Sequence, residues 1–263
     1  MLITMAGVRG SGKTCYLYAT YNAMMDGINS LFFNPTDHFE MLDLQDRWDS
    51  MIEHKEFPPG TSESKEYTFT AILAGKVLNQ FTWYDYKGAL LQENGSSEYR
   101  EFESRCRNSD CVVFAIPADL LKAKLNNESK YLNGEVNVSK DFRIYQARIA
   151  ALRDEKRSMP IVINVTKGDL LSGEEMKKAV EEILKPQFTT LFGPEGGEAL
   201  ICRTSIQKTL PNGSRDFTPR NVHHPIIFPF YLKLKKLGTT SDLILLREML
   251  KGSLYFNNGK QVW

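Results

Sequence analysis

Cysteine and histidine are scarce in this chain: Cys15, Cys106, Cys111 and Cys202 are its four cysteines, and His38, His54, His223 and His224 its four histidines. No C-x-x-C pair and no metal-ligand spacing joins them, which excludes a disulfide framework and a zinc site; reduced thiols in a cytoplasm are expected. Long apolar runs are missing too. Nothing approaches the roughly 20 apolar residues of a membrane span, and the apolar Met1 to Ala6 is too short for a signal peptide. Charge is not biased to one sign: 33 Lys and Arg face 32 Asp and Glu, for a formal net charge of +1. Without a dense basic cluster, nucleic acid is not an expected partner. No repeat of roughly 20–50 residues is present, so solenoids and propellers lose their support.

What remains is an ordinary globular profile, 42% hydrophobic and 25% charged over 263 residues, with no convincing linker. One domain is expected, with a core over 1–206 and a C-terminal extension over 207–263. Leu2 to Ala6 reads as a strand and Lys13 to Asp26 as a helix closed by Gly27. A strand over Ser30 to Phe33, a helix over Phe39 to Met51 and a loop from Glu56 to Ser64 follow. Tyr67 to Leu73 and Gln80 to Tyr84 form a hairpin around Gly75-Lys76. Helices over Glu98 to Arg107, within Lys140 to Lys156, and over Gly173 to Leu184 alternate with strands at Cys111 to Ile116, Ile161 to Val165 and Ala199 to Thr204. Beyond these, any helix in Asn221 to Leu237 starts near Pro225 or kinks. The alternation predicts an α/β fold: a doubly wound, mostly parallel sheet with an antiparallel strand and extra C-terminal helices.

Between the first strand and helix lies Gly7-Val8-Arg9-Gly10-Ser11-Gly12-Lys13-Thr14, a full match to G-x-x-x-x-G-K-[ST], followed by Cys15. In this P-loop, backbone N–H groups of Gly7, Arg9, Gly10, Ser11, Gly12 and the following helix start close around phosphate oxygens. Lys13 neutralises the β and γ oxygens, and the Thr14 hydroxyl suits Mg²⁺. Asp85, ending an apolar strand and followed by Tyr86-Lys87-Gly88, has the D-x-x-G form. Its carboxylate is expected to hold a magnesium-bound water, and Gly88 to offer its N–H to a γ-phosphate. Thr166-Lys167-Gly168-Asp169 follows a strand in the form [NT]-K-x-D. Asp169 can accept from the ring N–H and exocyclic amine of guanine, and adenine offers no such pair. The Lys167 stem can cover the base. Ser205, in Thr204-Ser205-Ile206, is a candidate contact to the base oxygen.

These four motifs occur in the order of translation-factor and Ras-type GTPases, and the chain resembles that superfamily over most of residues 1–206. More narrowly, Pro58-Pro59-Gly60-Thr61, Asn221-Val222 and Pro225 are similar to bacterial double-GTPase domains, a family associated with prokaryotic conflict systems. The resemblance implies GTP and GDP as ligands, Mg²⁺ as cofactor and a protein effector or activator as partner. It implies Thr61 as the switch threonine that meets Mg²⁺ and the γ-phosphate, with Thr36, Thr68 and Thr70 as rivals. Lys13, Thr61 and Gly88 would then carry catalysis. One departure matters: where many Ras-type enzymes place a water-orienting glutamine after D-x-x-G, this chain has Ala89. Slow turnover is expected, assisted by the metal, Lys13, Arg9, Arg105 or a partner's group.

Two other readings stay open. An ATP-using enzyme, either an assembly ATPase resembling zonula-occludens-toxin-like phage proteins or a small-molecule kinase, needs no Asp169; a kinase lid would draw on Arg143, Arg148, Arg153 and Arg157. A non-catalytic scaffold would use the nucleotide for stability and Phe228, Phe230 and Tyr231 for a partner.

Overall fold

Period-two patterning divides the strands between two apolar layers. In β1 (Leu2–Ala6), Ile3 and Met5 enter one layer and Ala6 the other. In β5 (Cys111–Pro117), Cys111, Val113 and Ala115 face the first layer, while Val112, Phe114 and Ile116 face the second. Strands buried on both faces read as continuous apolar runs because each face must be covered by helices. The computed structural model describes the chain apart from residues 60–62, 94, 132–135, 156–157, 193–195, 211, 239 and 257–263.

The remaining strands of the sheet are β2 (Leu31–Pro35), β3 (Lys65–Leu73), β4 (Lys76–Asp85), β6 (Ile161–Thr166), β7 (Ala199–Arg203) and β8 (Tyr255–Phe256). Their order is β8-β7-β6-β5-β1-β4-β3-β2. β4, β1, β5, β6 and β7 run parallel to one another, β3 is antiparallel to both β2 and β4, and β8 is antiparallel to β7. The doubly wound, mostly parallel α/β architecture with antiparallel strands is therefore observed.

One face is covered by α1 (Lys13–Met25), α2 (His38–His54), α7 (His224–Leu237) and α8 (Thr240–Met249); the other by α3 (Ser97–Asn108), α4 (Ala118–Leu125), α5 (Val138–Glu155) and α6 (Gly173–Ala179). Local chemistry starts these helices. The Asp37 carboxylate accepts from the N–H groups of Phe39 and Glu40 to cap α2, and Ser172 with Glu175 forms a capping box on α6. Past Ala179 the chain continues as a π-helical turn, Val180–Leu184, so the segment read from sequence as one α-helix changes geometry midway. The hairpin turn is Ala74-Gly75, both at positive φ (49° and 78°), one residue earlier than its predicted centre. α4 was not anticipated: it leaves β5 directly, with Pro117 as its N-cap.

The C-terminal helices are woven into the first layer. α7 begins at His224, carries Pro225 in its first turn and continues through Pro229. Phe228 and Phe230 are buried; the Phe230 ring lies 6.2 Å from Phe33 and 5.5 Å from Phe81. Such aromatic contacts each add about 0.5–1.5 kcal/mol beyond area burial. The Tyr16 hydroxyl of α1 donates to the Val222 carbonyl at 2.6 Å, just ahead of α7. His223 and His224 are held neutral by burial, which lowers them to about 4 and about 3; they are packing residues at a helix start. No described helix is long and apolar enough to cross a membrane.

Candidate functional site

The carboxyl ends of β1, β4, β6 and β7 open on one cavity of about 800 Å³, the edge where doubly wound sheets bind ligands. It is lined by Arg9, Gly10, Gly12, Lys13, Thr14 and Cys15 of the first loop, by Gly88, by Thr166, Lys167 and Asp169, and by Ser205. Gly7, Ser11 and Asp85 are buried behind that lining. Thr61 lies outside the described residues. Of its rivals, Thr36 hydrogen-bonds to the Thr68 carbonyl, Thr68 and Thr70 sit within β3, and none lines the cavity.

The loop from Gly7 to Thr14 turns into α1 through Gly12, whose φ of 81° and ψ of 16° place it in the left-handed region that glycine adopts without cost. Lys13 folds back inside this turn: its ammonium donates to the Gly7 carbonyl at 2.8 Å, with the Val8 carbonyl at 3.4 Å and Ser11 Oγ at 3.5 Å. Burial lowers Lys13 from 10.5 to about 8, and the nearby Asp85 charge opposes that shift. Tyr145, from α5 on the far face, braces the loop. Its hydroxyl donates to the Ala115 carbonyl at 2.6 Å and accepts from the Val8 N–H at 3.1 Å.

Asp85 ends β4 in register with Met5 of β1. The Thr14 hydroxyl donates to its Oδ2 at 2.7 Å, while Oδ1 is buried without a hydrogen-bond partner. Burial raises this carboxyl above its ordinary value, against the opposing pull of Lys13 and Thr14. A buried carboxyl with one oxygen unpaired is costly until a proton or a cation meets that oxygen. The donor set fits a hard divalent cation. Three residues on, Gly88 presses on the first loop: a Cβ there would lie 2.5 Å from both N and Cα of Arg9.

At the far end of the cavity the Thr166 hydroxyl donates to the Ser11 carbonyl at 2.6 Å, tying the end of β6 to the phosphate-type loop. Lys167 adopts φ 53°, ψ 36° and its ammonium pairs with Asp119 at 2.8 Å. Gly168 N–H donates to the Thr204 carbonyl at 2.9 Å, and Arg203 Nε donates to the Gly168 carbonyl at 2.7 Å, so the loop after β7 holds the loop after β6. Ser205 pairs with Arg220 through backbone bonds in both directions.

The structure adds lining residues that sequence reasoning passed over: Phe57, Glu93, Asp119, Gln207 and Arg215. Arg215 stacks on Phe57, its guanidinium carbon 5.1 Å from the ring centre, and Phe57 meets Phe217 edge-on. Nothing in local sequence couples positions so far apart. Arg143, Arg148 and Arg153 do not line the cavity, and Arg157 lies outside the described residues. Among the described residues, no group of three or more His, Cys, Asp or Glu is placed to hold a metal.

Fold and loop geometry together set the G-x-x-x-x-G-K-T loop at a cavity on the carboxyl edge of a doubly wound sheet. No protein-family model matches the chain, and no curated protein does. Among solved structures it is similar to the signal recognition particle receptor in an SRb-GTP/SRX complex from Chaetomium thermophilum, at 14% identity, 80% of this chain, 92% of that chain and a TM-score of 0.44. It is similar to the GTP-bound Ski7 GTPase-like domain of S. cerevisiae, at 14% identity, 77% and 42% coverage and a TM-score of 0.46. A bacterial selenocysteine-specific elongation factor, EF-Sec, aligns at 12% identity over 77% of this chain and 25% of its own, with a TM-score of 0.38.

Proposed function

We propose that the chain is a GTP-binding switch that hydrolyses GTP slowly and acts through a protein partner. The observation that carries this reading is the joining of Thr166 to Ser11, which sets Lys167 and Asp169 across one cavity from Lys13 and Thr14. A purine nucleoside triphosphate has that polarity: anionic at one end, a planar hydrogen-bonding base at the other. Gly10, Gly12, Lys13, Thr14 and Cys15 would hold the phosphates, Lys167 would cover the base, and Asp169 would accept two guanine N–H groups. Ser205 would meet the base oxygen.

Thr14 and Asp85 would hold magnesium, Asp85 through water, with Thr61 joining them. Bound there, the ion would neutralise charge on the β and γ oxygens. Gly88 would give its N–H, and Thr61 its hydroxyl, only when a γ-phosphate is present, which would distinguish GTP from GDP. Alanine at position 89 cannot orient water, which supports slow basal turnover and an activating partner. The motifs around Pro58, Asn221 and Pro225 keep bacterial double-GTPase domains as the narrower resemblance.

Calorimetric titration of GTP and ATP with magnesium, on wild type and Asp169→Ala, tests the base assignment. Two charge-assisted bonds at about 1.5–3 kcal/mol each predict a preference for GTP of two or more orders of magnitude, lost in the variant. Equal affinity for both nucleotides in the wild type would refute the assignment.

A further inference from the structure

We propose that Arg9 is a catalytic residue, a cation supplied from the P-loop itself that stabilises charge as the γ-phosphate departs. The proposal rests on the GTP reading above. Four observations place it. Ala89 leaves the D-x-x-G segment without an amide side chain. The backbone of Arg9 touches Gly88, since a Cβ on Gly88 would meet Arg9 N and Cα at 2.5 Å. The Arg9 side chain therefore leaves the main chain where the phosphate loop and the γ-phosphate-sensing loop meet. It lines the cavity, is exposed, and among the described residues makes no ion pair, hydrogen bond or ring contact.

The competing cations are occupied. Arg105, the alternative open at the level of sequence, lies 4.0 Å over the Tyr84 ring and pairs with Glu66 and Glu101, and it does not line the cavity. Lys87 pairs with Glu98, Lys167 with Asp119, and Lys13 with the carbonyls of its own loop. Arg215 is stacked on Phe57 and donates to the Lys55 carbonyl at the cavity mouth.

In the step proposed, a water oxygen forms a bond to the γ-phosphorus as the bond to the β,γ-bridging oxygen breaks. The electron pair of that bond stays on the GDP β-phosphate, and the water proton ends on the released phosphate. Arg9 keeps its proton throughout and donates N–H bonds to the γ and bridging oxygens, where negative charge gathers. A partner that excludes solvent from the Arg9 side chain would strengthen this effect, which reconciles a cation in cis with slow basal turnover.

The test uses the full chain and the variants Arg9→Ala and Arg9→Lys. Single-turnover GTP hydrolysis is measured beside GDP affinity, melting temperature and formation of a GDP–aluminium fluoride complex. Arg9→Ala is expected to lose about 10²-fold in the hydrolysis rate and to lose the aluminium fluoride complex. Its GDP affinity and melting temperature should stay as in wild type, and Arg9→Lys should recover the rate only in part. Arg9→Ala hydrolysing within twofold of wild type, or losing GDP affinity by the same factor as rate, overturns the proposal. So does a wild type that binds GTP but hydrolyses it no faster than Lys13→Ala. A wild type that binds no guanine nucleotide overturns the underlying GTP reading instead.

Discussion

Replacing Gly88 with alanine tests the contact between the two phosphate-side loops. Gly88 is not among the positive-φ residues, so alanine can adopt its backbone, and only space is at issue. The new methyl would lie 2.5 Å from Arg9 N and Cα and 2.8 Å from the Val8 carbonyl carbon. Carbon atoms pack at about 3.5–4.0 Å, so roughly 1 Å must be yielded. All three obstructing atoms are backbone. They belong to a loop pinned by the Tyr145 hydroxyl on the Val8 N–H and by the Lys13 ammonium on the Gly7 carbonyl. The segment after Asp85 must therefore retreat, at about 1–3 kcal/mol for a forced methyl group. Under the proposed function Gly88 meets the γ-phosphate, so this cost should fall on triphosphate binding. It corresponds to about 5- to 150-fold weaker affinity for a non-hydrolysable GTP analogue, with GDP little changed. Calorimetry on both ligands reads the difference directly, and melting curves confirm that the variant folds. Equal losses for GDP and the analogue, or none for either, would refute the assignment of Gly88.

Lys13 predicts a pH dependence. Its folded value of about 8 lies below the ordinary 10.5, so between those values the unfolded chain binds more protons and stability rises with pH. The full rise is about 3 kcal/mol at 1.36 kcal/mol per unit, fully developed above pH 10.5 and absent below pH 8. Denaturant melts of nucleotide-free protein should show it, and Lys13→Met should flatten it. Tyr145→Phe removes the hydroxyl shared by Val8 and Ala115 and leaves a buried N–H unpaired, an expected loss of about 1–3 kcal/mol. An unchanged melting temperature would show that the far-face brace is dispensable.

Legibility from sequence followed the locality of the physics. β1, the loop from Gly7 to Thr14 and α1 were readable because glycine, lysine and threonine each meet a fixed demand within a few residues. The ends of β4 and β6 were readable for the same reason, since Asp85 and Thr166 close apolar runs. α4 escaped notice because Pro117 serves as both strand end and helix cap, with no turn residues between. Placing β2 at the far sheet edge, beyond the hairpin, depends on Leu31 to Pro35 pairing with Phe69 to Leu73, which no local pattern encodes. Partnerships such as Lys167 with Asp119, Tyr145 with Val8 and Arg215 with Phe57 join distant positions, and only the folded chain brings them together.

The hydroxyl of Tyr16 clasps the Val222 carbonyl one turn behind Lys13 and Thr14. That clasp ties the helix that begins at Lys13 and Thr14 to the stretch leading into His224. Thr20, one turn further along the same helix, shares that acceptor at 3.4 Å, so a displacement of Val222 would be felt by two side chains of the helix that starts at Lys13.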